Sequence, residues 1–90
     1  MRLDLFLKIS RLIKRRSVAR EHCDSGRILV NGHESKPAKE VKRGDIITLK
    51  FSSRTVEIEV LVVPASSKKN SPEELYRARS DIRLPKETDL

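Results

Sequence analysis

Lys8, Arg11, Lys14, Arg15, Arg16 and Arg20 place six positive charges between Leu5 and Arg20, and no acid interrupts them. Side chains of these types donate hydrogen bonds to phosphate oxygens, bidentately in the case of arginine. Lys14, Arg15 and Arg16 also stand beside the expected start of a second helix, whose unpaired N–H groups and positive dipole end favour an anion. The chemistry is polyanion binding. Catalysis has no comparable support: no carboxylate pair, nucleophile with its base, or glycine-rich phosphate loop stands out. His22 and His33 are isolated, and the single cysteine, Cys23, gives no zinc-type spacing, so neither metal nor cofactor is expected.

These charges require a scaffold to position them. On a helix turning about 100° per residue, Asp4, Lys8, Arg11 and Arg15 fall in a stripe about 60° wide. Leu3, Leu5, Phe6, Leu7, Ile9, Leu12 and Ile13 fill the opposite side, and Asp4 is expected to pair with Lys8 one turn on. A break near Lys14 to Arg16 leads to a second helix over about residues 18–25, with Ser17 as N-cap and Gly26 as its left-handed end. Val18, Ala19, His22 and Cys23 form its inner face, where Cys23 reads as a small buried hydrophobe.

A sheet follows. Residues 27–30 form a short apolar strand, and Asn31-Gly32 suits a type I′ turn into a hairpin reaching Lys36. After a loop at 37–42 and a turn at Arg43-Gly44-Asp45, residues 46–51 pair across Ser52-Ser53-Arg54 with residues 55–63. There Val56, Ile58, Val60 and Val62 alternate with Glu57, Glu59 and Leu61, the period of a half-buried strand. Residues 64–70 read as a polar linker. Ser71-Pro72-Glu73-Glu74 reads as a helix start, with the helix running to about Arg79 and a flexible tail from Ser80 to Leu90. The fold class is α+β: two N-terminal helices on a small, mainly antiparallel sheet, with domain 1–63 and an appendage 64–90.

Composition narrows the partner. Ninety residues bury only about 60–70% of the unfolded chain's surface, too little for a deep catalytic cleft. The net charge of +7 is concentrated at one end, with +5 in residues 1–30 and +1 in each remaining third. Aromatics are confined to Phe6, Phe51 and Tyr76, and both phenylalanines fall on core positions, so a stacking platform is not expected. The surface should read backbone shape, for which structured RNA is the natural target. One unpaired cysteine fits a reducing cytoplasm; there is no apolar run of about 20 residues and no signal-peptide pattern.

Arg2-Leu3-Asp4, Leu7, Ser10-Arg11, Arg16-Ser17, Ala19, Gly26-Arg27-Ile28, Val30-Asn31-Gly32, Pro37, Val41 and Gly44-Asp45 together resemble the S4 RNA-binding domain, over roughly residues 1–51. The resemblance implies that the two helices and hairpin grip structured RNA through Arg2, Arg11, Arg16, Arg27 and their basic neighbours Lys8, Lys14, Arg15 and Arg20. The opening through Arg16 is further similar to the RqcP family, stand-alone S4 proteins of bacterial ribosome-associated quality control. That similarity implies a non-catalytic protein on obstructed large ribosomal subunits, and a monomer is expected. Its partners there would be large-subunit rRNA and peptidyl-tRNA, and it would assist RqcH in alanine tailing. The related heat-shock S4 protein, which handles dissociated large subunits, is an alternative. Two short helices around a turn also resemble a DNA-binding helix-turn-helix, though beyond Arg20 and Glu21 the second helix has few base-reading side chains. An adaptor for an acidic protein is the remaining alternative.

Overall fold

The computed structural model describes residues 1–64 and 72–83. In chain order the elements are α1 (Leu3–Ile9), α2 (Arg16–Asp24), β1 (Ile28–Val30), β2 (His33–Glu34), β3 (Ile46–Lys50), β4 (Arg54–Val60), α3 (Pro72–Leu75) and β5 (Tyr76–Arg83). The five strands form one sheet of order β2-β1-β3-β4-β5, antiparallel at every pair. This is the α+β arrangement the sequence predicts.

The sheet's inner face follows from strand alternation. Register places Ile28, Leu49 and Val56 in one cross-strand row and Val30, Ile47 and Ile58 in another. All six are buried, and Leu3, Phe6, Leu7, Ile13, Ala19 and Cys23 cover them from the helices. Each such side chain contributes about 1.5–3 kcal/mol on burial. Val62 breaks the expected alternation: it lies past the end of β4 and is 39% exposed.

α1 is shorter than its apolar pattern, ending at Ile9 instead of reaching Lys14. The Ser10 hydroxyl donates to the Leu7 carbonyl at 3.2 Å, and Arg11 takes a left-handed conformation with φ 62°. Its amide reaches the Lys8 carbonyl, and the Ile13 amide reaches that of Leu7, so the chain turns sharply and Ile13 tucks into the core. Asp4, Lys8, Arg11 and Arg15 therefore do not form one helical stripe. The N-terminus of α1 is closed by the loop after β2: the Leu3 and Asp4 amides donate to the carbonyls of Lys39 and Pro37.

α2 begins two residues before the predicted start. Arg15, in extended conformation, occupies the N-cap position without a side-chain cap, and Ser17 sits inside the first turn. At the other end Gly26, at φ +78°, donates to the Cys23 carbonyl while the Arg27 amide reaches that of His22, a Schellman closure. A Cβ at Gly26 would lie 3.1 Å from the Glu34 carboxylate. Asn31 and Gly32, at φ 54° and 86°, make the expected hairpin turn, and the Asn31 side chain bridges to Asp45 and the Ile46 amide.

The C-terminal region departs most from expectation. α3 is a single turn that stops at Leu75, not Arg79, and Tyr76–Arg83 pairs along β4 as an edge strand, so residues 80–83 belong to the sheet and not to a tail. The open edge of β4 supplies backbone partners that an isolated eight-residue helix lacks. Opposite charges add to the pairing: Arg77 meets Glu59 at 2.8 Å and Arg79 meets Glu57 at 3.5 Å. The expected linker at 65–70, the Ser71 cap and residues 84–90 lie outside the described residues.

Candidate nucleic-acid interface

Asp4 organises the basic face. Its side chain is 0% exposed, and its carboxylate accepts from Arg2 Nε at 3.2 Å, Arg2 Nη2 at 3.4 Å and Arg16 Nε at 3.2 Å. Burial alone would raise the carboxyl pKa, but the hydrogen bonds and charges of Arg2 and Arg16 prevail and hold it below the ordinary 3.8. The expected Asp4–Lys8 pair does not form. Leu7, assigned from sequence to the side opposite Asp4, instead lies about 60° from it on the helix and is buried with it.

The consequence is preorganisation. Arg2 and Arg16 remain about half exposed at 49% and 44%, each anchored at one edge of its guanidinium and open at the other. Between them in sequence, Lys8, Arg11, Lys14 and Arg15 project from the end of α1 and from the turn into α2, all exposed. Arg20 stands one turn beyond Arg16 on α2. Among the described residues these five, and Arg27, take part in no ion pair. Arg27 is set apart from the rest. It follows the last turn of α2, a helix length of about 13 Å from Arg16.

A model of the S4 domain matches residues 1–47, which span both helices, the first hairpin and the loop that closes α1. The chain belongs to the S4 domain family. The S4 assignment is reinforced by relatives matched almost end to end. A protein of Halalkalibacterium halodurans named RQC P-site tRNA stabilizing factor is 42% identical over 86 residues, 96% of this chain and 98% of the relative. The Bacillus subtilis protein of the same name is 42% identical over 84 residues, covering 93% and 98%. Among solved structures, trimeric heat shock protein 15 of Vibrio cholerae superposes with a TM-score of 0.78 at 30% identity, covering 89% of this chain and 82% of that one. In this S4 domain the family match ends within β3, while β4 and β5 complete the sheet beyond it.

Two further side chains bear on the surface. Cys23 is 2% exposed, and burial, with the nearby charges of Asp4 and Asp24, pushes its thiol up to about 11, so it packs as an inert hydrophobe. Phe51, assigned to the core from sequence, packs against the core's edge and is partly exposed, with His22 and Arg54 against its ring.

Proposed function

We propose that this protein is a non-catalytic RNA-binding factor of the bacterial cytoplasm that acts on obstructed large ribosomal subunits. Residues 1–63 carry the binding face. Arg2, Lys8, Arg11, Lys14, Arg15, Arg16, Arg20 and Arg27 contact folded large-subunit rRNA and peptidyl-tRNA, and the protein works as a monomer alongside RqcH during C-terminal alanine tailing. Its contribution is to hold tRNA in a productive position.

The observation that carries this reading is the identity to relatives named for stabilising P-site tRNA, which runs through nearly the whole of both chains. The geometry supports it. Two arginines fixed by one buried carboxylate lose little rotamer freedom on meeting phosphate, and the exposed cations around them add attraction without a built-in acid to neutralise.

Affinity purification of the tagged protein tests it. Recovery of large subunits carrying peptidyl-tRNA is expected, together with loss of alanine tails when the protein is absent. Recovery of intact ribosomes or free RNA alone overturns the reading. Large subunits recovered equally with and without peptidyl-tRNA favour the heat-shock alternative, to which the likeness to heat shock protein 15 lends weight.

A further inference from the structure

Phe51 sits just past β3, packed against the edge of the core and partly exposed. His22 leans on it with ring centroids 6.0 Å apart and planes at 58°, and Cζ of Arg54 lies 5.6 Å from the ring centre. Backbone hydrogen bonds fix this corner. The Arg27 amide donates to the His22 carbonyl, the Lys50 amide to that of Arg27, and the Phe51 amide to that of Arg54, at 2.8–2.9 Å. The last turn of α2, the start of β1 and the β3–β4 hairpin are thereby held as one unit. Arg27 and Lys50 are exposed at its rim and, among the described residues, take part in no ion pair.

Part of this has a purely structural account. A histidine in the last turn complements the helix dipole, and an arginine over a ring is attracted by its quadrupole. That explains His22 and Arg54. It does not explain a partly exposed aromatic ring on a corner that carries two further exposed cations, in a chain with only three aromatics. A ring face offers stacking to any base, and cations beside it hold the flanking phosphates, the combination that captures nucleotides outside a helix.

We propose that this corner, formed by Phe51, His22, Arg27, Lys50 and Arg54, binds an unpaired nucleotide next to the folded RNA engaged by Arg2 and Arg16. The proposal rests on the RNA-binding reading above and adds a second contact of different chemistry. α2 separates the two ends by about 13 Å, roughly four nucleotides of a stacked strand. One RNA can therefore reach both.

Fluorescence anisotropy with the full chain and three labelled RNA hairpins provides the test. The hairpins share one stem: one is blunt, one carries five unpaired nucleotides, and one carries five abasic residues with the same phosphates. The unpaired nucleotides should tighten binding about tenfold over the blunt stem, and the abasic extension much less. Phe51→Leu, which keeps an apolar side chain but removes the ring, should abolish the gain. Lys50→Gln, at an exposed position, should lower the salt slope for the extended RNA by about one and leave the blunt stem unchanged. Equal affinity of the wild type for the blunt and extended stems overturns the proposal, as does a full gain in both variants. Loss of the gain to an acidic peptide as readily as to an unpaired oligonucleotide also overturns it, in favour of a protein ligand. No binding of the wild type even to the blunt stem overturns the broader reading, and this one with it.

Discussion

Oδ2 of Asp4 lies 3.2 Å from Nε of Arg16, so a fully buried carboxylate on the first helix fixes the first residue of the second. The same carboxylate holds Arg2. One small acid thus sets the spacing of two cations that are twelve and two residues away in the chain.

Asp4→Asn keeps the shape and removes the charge. Because both arginines are half exposed and can rehydrate, the loss of stability should be modest, about 1–3 kcal/mol. Thermal unfolding should shift by several degrees, and RNA affinity should fall although two positive charges are unmasked. Unchanged or tighter binding in filter assays would show that the fixed geometry of Arg2 and Arg16 is immaterial.

The same group dictates the acid response. Its folded pKa is lowered, so its stabilising contribution is complete above the unfolded value near 3.8 and declines as pH falls through the lower folded value. Urea midpoints of the wild type and Asp4→Asn should therefore differ most well above 3.8 and converge once the pH has fallen through the lowered folded value. A constant difference across that range would assign the stability change to packing instead.

Arg11 permits fold and binding to be separated. At φ 62° an L-residue is strained by about 1 kcal/mol and glycine is not, so Arg11→Gly should be as stable as the wild type or slightly more so. Arg11→Ala keeps the strain. Both should weaken co-sedimentation with large subunits to a similar degree, as should Arg16→Ala. Retained binding in the glycine variant would remove Arg11 from the interface.

Salt should reveal how many phosphates are engaged. With about six neutralised, log affinity for structured RNA should fall against log salt with a slope of roughly −4 to −5. A slope near zero by titration at several salt concentrations would rule out the basic face as the contact.

Cys23, with its thiol pushed up to about 11, should be nearly all protonated at pH 8, with thiolate on the order of one part in a thousand. Alkylation of the folded protein should lag far behind that in urea. Rapid labelling under native conditions would place the thiol at the surface.

Patterns that depend on neighbours in the chain were legible in the sequence. The Asn31-Gly32 turn, the Gly26 helix end and the alternation of Val56, Ile58 and Val60 each rest on one or two residues with strong local preferences. Asp4 was misread because a surface pair with Lys8 satisfies the same spacing as a buried tether, and only the approach of Arg16 from the second helix distinguishes them. Phe51 does pack against the core as its apolar type suggests, but residue type does not reveal how far a ring at a strand end is covered. β5 was misread because Pro72 to Leu75 does form a turn of helix, while the partner that extends Tyr76–Arg83 lies on β4, some twenty residues back in the chain.

An edge strand exposes a row of backbone donors and acceptors to any passing chain, and β5 occupies that position. Four of its eight residues, Arg77, Arg79, Asp81 and Arg83, are charged. A second strand aligning there would have to strip water from Arg77 and Arg79, both exposed, an unfavourable encounter. The strand that covers β4 thus also serves as a guard against aggregation, which a version of the protein cut before Tyr76 would lack along the whole length of β4.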